Sequence, residues 1–367
     1  MALNLPPHAY EGRQAKLRAG IEKQNLPLLV VSNPTNIFYL TGFRGSAGVA
    51  VWGAFNATLW VDPRYTLQAK GEARGVEVIE QRGSLLKAIS RWLGKKKPRR
   101  VGFEDGHLTC CEFLALEREC RGRIQFKPAS GVIEELRFVK DPYEIAQIRQ
   151  ASRVTVEAFE EILPLIKPGV KESDLAAEIE YRMRRKGAEG PAFDTIVASG
   201  IRAAFPHARA SNKVIGKSEL VIFDMGAILG GYASDMTRTV YMGGHPGGRI
   251  KRLYKAVLDA QQRAIESLRQ GVRGGEVDEA ARGVLRRRGL ADYFTHSTGH
   301  GVGLDIHERP RLGKGDKTRL RAGCVVTAEP GVYIENLGGI RLEDTVVVGL
   351  EGSEVLTSTT RGDWCIS

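Results

Sequence analysis

Four carboxylates in the C-terminal part of this chain sit where an isolated charge would be expensive. Asp224 closes the apolar run Glu219-Leu-Val-Ile-Phe-Asp224, and Asp235 lies on the returning segment Tyr232-Ala-Ser-Asp235-Met, after Gly226, Gly230 and Gly231. Adjacent strands of one hairpin can aim both carboxylates at one point. Cys324-Val-Val-Thr-Ala-Glu329 repeats the pattern of an apolar strand with an acid near its end. In Gly339-Ile-Arg341-Leu-Glu343-Asp344 the two-residue strand period puts Arg341 and Glu343 on one face and Asp344 on the other. A buried carboxylate is unfavourable unless it is paired or bound to metal. Four converging acids would carry about −4 charges and raise one another's pKa values, and divalent cations would neutralise them. The alternative is four unrelated salt bridges at strand ends.

Nitrogen donors stand nearby. Of seven histidines, His207, His296, His300 and His307 fall in two loops. The segment His296-Ser-Thr-Gly-His300-Gly-Val-Gly-Leu-Asp-Ile-His307-Glu308 is interrupted by three glycines, which argues against a continuous helix. The spacing H-E-x-x-H is absent, so a helical zinc-protease site is not indicated.

The elements that must position these groups form a weak internal repeat. Gly169-Val-Lys through Gly187 overlays Gly271-Val-Arg through Gly289 at an offset of 102 residues, without a gap. A long helix is expected before each copy, over 141–163 and about 248–269. Each copy continues into a second helix ending at glycine, a loop with a histidine, and two acid-bearing strands. Two such halves facing each other would bring both acid pairs to one centre. Two copies are too few for a solenoid.

Residues 1–135 read differently. Strands are expected at 27–32, 47–52, 57–62 and 100–105, and a helix at 84–93, which describes an α/β domain without a catalytic constellation. Asn33-Pro34 and residues 42–45 read as turns. Near 136–141 a boundary falls, and Asp141-Pro142-Tyr143-Glu144 predicts a helix start with Asp as N-cap, Pro at N1 and Glu at N3. The second domain is therefore 136–367.

Composition narrows the function classes. The chain has 367 residues and 42% apolar content, enough for two cored domains. It contains neither a spanning apolar run nor an N-terminal basic-then-apolar signal, so a cytoplasmic protein without membrane attachment is expected. Five cysteines lack any C-x-x-C spacing, which fits reduced thiols. The balance of 54 basic against 43 acidic residues leaves a charge of +11. Its clusters lack interleaved aromatics, and no nucleic-acid partner is expected.

The C-terminal part resembles the pita-bread metallopeptidases of the M24 group, which includes methionine aminopeptidase, aminopeptidase P, prolidase and creatinase. The ordered set Asp224, Asp235, His300, Glu329 and Glu343 carries that resemblance. Residues 191–208 and 296–308 resemble the proline-peptidase branch, and Asn33-Pro-Thr-Asn-Ile-Phe-Tyr-Leu-Thr-Gly-Phe43 resembles the creatinase/prolidase N-terminal domain. The resemblance implies an α/β N-terminal domain followed by an α+β pita-bread catalytic domain with an internal pseudo-two-fold repeat. It implies that the five residues hold two divalent ions, Mn²⁺ or Co²⁺, with Zn²⁺ or Fe²⁺ also compatible with an oxygen-rich set. It gives Glu329 a further role towards the attacking water, and His207, His296 and His307 roles at the reacting centre. Arg341 would support the ligands from behind. The implied activity is an Xaa-Pro dipeptidase acting on short proline-containing peptides. Aminopeptidase P is the neighbouring alternative, and a metal-free binding protein the alternative outside enzymes. A homodimer is also implied. Which arginine would meet a substrate carboxylate stays open at this point.

Overall fold

The computed structural model describes residues 7–118, 120, 122–359 and 364–366. The chain divides into two compact units, Met1–Arg137 and Phe138–Ser367.

The first unit is built on six strands: β1 (Leu28–Val31), β2 (Gly48–Gly53), β3 (Ala57–Val61), β4 (Glu77–Glu80), β5 (Arg100–Phe103) and β6 (Gln125–Pro128). Their order is β4-β3-β2-β1-β5-β6, with β1 antiparallel to β2 and parallel to β5. Helices α1 (Pro7–Lys23), α2 (Pro34–Thr41), α3 (Thr66–Glu72), α4 (Leu85–Lys96), α5 (Cys110–Arg118) and α6 (Val132–Phe138) complete the element order. Helix α4 begins where Ser84 accepts from the Lys87 N–H, and it buries Leu86, Ile89 and Leu93 against Val30, Val51 and Val101. Asn33-Pro34 and Gly42, expected to be turns, instead bracket helix α2. Asn33 accepts from the Thr35 N–H, Pro34 takes the first turn, and Gly42 closes the helix at φ +83°. The turn residues were caps, and the β-prone Ile37-Phe38-Tyr39 between them gave little helical signal.

The second unit opens with α7 (Pro142–Ile162). Asp141 accepts from the Glu144 N–H while the Glu144 carboxylate accepts from the Asp141 N–H, the reciprocal cap expected from the sequence. Helix α8 (Glu172–Arg185) follows, then strands Ile196–Ser199, Leu220–Met225 and Met236–Met242. The second half repeats this order with α9 (Gly248–Ser267), α10 (Gly274–Arg287) and strands Gly299–Gly301, Val325–Ala328 and Asp344–Val348. Beyond α8 and α10 the chain turns at Gly187 and Gly289, with φ +99° and +68°.

Each half has its own core. Phe159, Leu175, Ile179 and Met183 of the first pair of helices pack on Val221 and Phe223. Val257, Ala260, Val277 and Leu285 of the second pair pack with Val326 and Val346. Burying each large side chain contributes about 1.5–3 kcal/mol, which holds the strands in register under the acids they carry. Among the described residues, no helix is long and apolar enough to cross a membrane.

Candidate metal centre

The acid-bearing strands meet at a single cavity of about 760 Å³ in the second unit. Asp224, Asp235, Glu329, Glu343, His207, His296, His300, His307 and Arg341 all line it. Of the four acids, Asp224 alone lies inside a strand, where it opposes Thr237 across the ladder. Asp235, Glu329 and Glu343 sit at the ends or breaks of strands, directly before Met236–Met242, after Val325–Ala328 and before Asp344–Val348. These breaks free side chains to turn inwards while the neighbouring backbone stays paired. The Thr345 hydroxyl donates to the Asp235 carbonyl (2.7 Å), the Glu329 N–H to the Thr298 carbonyl (2.8 Å), and the Glu343 N–H to the Thr237 carbonyl (3.1 Å).

Ligand atoms of Asp235, His300 and Glu343 lie within 4.8 Å of one another. His300 Nε2 stands 3.6 Å from Asp235 Oδ2 and 3.5 Å from Glu329 Oε1. The ring is oriented from behind. Its Nδ1 lies 3.0 Å from the Gly301 carbonyl, which can only accept, so Nδ1 carries the proton and Nε2 presents its lone pair to the cluster. Glycine on both sides of His300 has a steric reason. A Cβ at Gly299 would meet the Thr327 carbonyl oxygen at 2.0 Å, and one at Gly301 the Arg309 carbonyl oxygen at 2.3 Å.

The acids strain against one another. Burial first, then the charges of Glu343, Asp224 and Glu329, push the Asp235 carboxyl well above its ordinary range. Burial, then Glu329 and Asp224, does the same to Glu343, and burial raises Glu329. Burial lowers His296, His300 and His307, keeping their rings neutral. Asp224 Oδ1 is buried with no hydrogen-bond partner among the described residues. A divalent ion answers each of these features: it neutralises the acids, accepts a neutral imidazole and satisfies the orphaned oxygen. The residues therefore fit a metal.

Arg341 approaches from beneath. Its Nη2 donates to Asp224 Oδ2 at 2.5 Å and its Nε to Thr237 Oγ1 at 3.1 Å; Thr237 in turn donates to Glu343 Oε2 at 2.6 Å. Asp344 turns away, accepting from Arg238, Gln261 and Thr357. Tyr333 is the participant that sequence reasoning missed. His296 Nδ1 faces the Ser297 carbonyl at 2.8 Å, so its Nε2 accepts from the Tyr333 hydroxyl at 2.8 Å. Tyr333 accepts from Arg341 Nη1 at 2.8 Å. Burial pushes the phenol pKa up to about 12, so it stays a donor. A two-residue offset along Tyr333-Ile-Glu gives no signal of this, because the contact depends on the hairpin Gly331–Ile334/Gly338–Arg341. His307 is exposed and its ring lies edge-on to His300, with centroids 4.3 Å apart; His207 is exposed at the tip of its loop.

Known proteins share both units. The profile described as metallopeptidase family M24 matches residues 146–349, and that of the creatinase/prolidase N-terminal domain matches 13–139. The Xaa-Pro dipeptidase of Pyrococcus horikoshii is 37% identical, over 93% of this chain and 95% of that protein. Among solved structures, the Xaa-Pro dipeptidase from Bacillus anthracis superposes with a TM-score of 0.93 at 36% identity, covering 97% of this chain and 99% of that one. The X-Pro aminopeptidase from Thermotoga maritima superposes with a TM-score of 0.89 at 34% identity, covering 96% and 99%. With an α/β domain leading into a pita-bread domain of two similar halves, and a cavity of acids suited to divalent metal ions, the chain belongs to metallopeptidase family M24.

Proposed function

We propose that this protein is an Xaa-Pro dipeptidase that hydrolyses the bond between an N-terminal residue and proline. Its working site holds two divalent ions, with Mn²⁺ or Co²⁺ suited to four carboxylates and one imidazole. Asp224, Asp235, His300, Glu329 and Glu343 are the proposed ligands, and residues 136–367 the catalytic domain. When bound, the ions supply an activated water and polarise the scissile carbonyl.

The chain's own residues do the rest. Glu329 orients the attacking water and takes its proton. His207 and His307 reach into the cavity from two loops and stabilise the developing oxyanion or deliver a proton to the leaving proline nitrogen. His296, fixed by Tyr333, faces the reacting centre from the second half.

The observation that favours a dipeptidase is Arg311. Besides Arg341, which is engaged with Asp224, three arginines line the cavity: Arg209, Arg309 and Arg311. Arg209 pairs with Asp194 at 3.2 Å, and Arg309 lies over the Phe138 ring. Arg311 is exposed, with no side-chain partner among the described residues. It stands directly opposite His300 in the ladder, which puts the two side chains on one sheet face. A free guanidinium there suits the carboxylate of a dipeptide.

The second reading is aminopeptidase P, supported by the likeness to the Thermotoga maritima enzyme. Turnover of Ala-Pro, Ala-Pro-Ala and Ala-Ala under Mn²⁺ decides between them. Preference for Ala-Pro is expected; preference for Ala-Pro-Ala transfers the assignment, and preference for Ala-Ala ends it. A cytoplasmic homodimer, with residues 1–135 as the N-terminal domain, completes the proposal; light scattering that gives monomer mass at micromolar concentration would remove the dimer.

A further inference from the structure

Two buried carboxylates outside the metal cavity hold the segments that carry its histidines. Glu172, at the first turn of α8, is wholly buried. It accepts five hydrogen bonds. Four come from both ends of one loop: Ser199 N–H (2.8 Å) and Oγ (2.9 Å), and Ser211 N–H (3.2 Å) and Oγ (2.6 Å). The fifth is from Arg202 Nε at 3.1 Å, and the same guanidinium donates to the Arg209 carbonyl. His207 stands at the tip of the loop so clamped. Arg341 Nη1 adds a bond to the Pro206 carbonyl at 3.0 Å from the other side.

The second half uses the same device with different residues. Asp278 of α10 accepts from Thr298 N–H (3.1 Å) and Oγ1 (2.9 Å), and pairs with Arg282 at 2.9 Å. Arg282 then donates to the carbonyls of Phe294 (2.8 Å) and His296 (2.9 Å) and lies over the Phe294 ring. The Phe294 ring meets His296 edge-on at 5.0 Å. Neither carboxylate lines the cavity.

We infer that Glu172 and Asp278 are positioning residues for turnover, each acting through the histidine of its own half: Glu172 through His207 and Asp278 through His296. The inference rests on the proposed roles of those histidines. A carboxylate with fixed donors on both flanks of a loop removes the loop's freedom before substrate arrives. Small displacements of a catalytic group are costly in rate. Glutamine in place of Glu172 keeps the volume but offers one acceptor oxygen where five donors converge, so one flank of the loop is released.

Two mutant cycles test this, Glu172→Gln with His207→Ala and Asp278→Asn with His296→Ala, read as kcat, KM and bound metal. Each single carboxylate variant is expected to lower kcat about tenfold, with KM within about twofold and metal content unchanged. In the matching histidine-to-alanine background the same change should cost less than about twofold, because the group it positions is gone. Equal losses in both backgrounds, unchanged kcat in the single carboxylate variants, or loss of metal overturn the inference while leaving the peptidase reading intact. Wild-type turnover of His207→Ala or His296→Ala overturns the reading of that histidine and the inference for its half with it. Should Glu172→Gln not fold, Ser211→Ala removes a single donor to the same carboxylate and enters the first cycle in its place, with the same criteria.

Discussion

Asp235 and Glu343 are the residues whose chemistry depends most on what they face. Burial and mutual repulsion push both carboxyls above their ordinary range, so they hold protons more tightly than free carboxylates do and a metal competes with those protons. His300 adds no proton to this exchange, since burial keeps its ring neutral. The sign follows: metal binding releases protons, and apparent affinity weakens as pH falls. Titration calorimetry in two buffers of different ionisation heat measures the release, and zero protons released would contradict it. Asp235→Asn should lower the number of bound metal ions; unchanged stoichiometry would count against Asp235 as a ligand. His307 differs because it is exposed and its ring lies edge-on to that of His300. His307→Ala is expected to leave metal bound while lowering kcat by about 10²-fold, and wild-type turnover would remove it from the chemistry.

At the scale of elements, what could be read from the sequence was local. The start of α7 was legible because Asp141, Pro142 and Glu144 carry their own cap within four residues. Asp141→Ala should cost about 1 kcal/mol of unfolding free energy without altering metal binding, which denaturant titration and metal analysis would check together. The acid-bearing strands were legible because a charge ending an apolar run is unusual. Helix α2 was not, since its eight residues hold a β-prone centre and its caps look like turns. Tyr333 and Glu172 were not either. The hydroxyl of Tyr333 finds His296, 37 positions earlier, and Glu172 finds donors 27 and 39 positions later. Such pairings exist only after the hairpin and the loop have folded against their helices, and no periodicity announces them.

For the whole molecule, the centre is a liability until it is filled. Buried acids with raised pKa values and an unpartnered Asp224 oxygen destabilise the native state, and a ligand binding only that state repays this by mass action. Chelation should therefore abolish peptide cleavage and lower the unfolding temperature, and Mn²⁺ or Co²⁺ should restore both. Full activity in excess chelator would defeat the metal assignment. A melting temperature indifferent to metal would show that the acids are balanced by other means.

The order of the proposed ligands along the chain has a further consequence. Asp224 and Asp235 belong to the first half, while Glu329 and Glu343 arrive with the last strands of the second. A ribosome making this protein has exposed the early pair and built much of the first core before the residues that complete the cage leave the exit tunnel. On that assignment, ion capture waits until residue 343 has emerged, and a nascent chain stalled before residue 329 would lack two of the five proposed ligands.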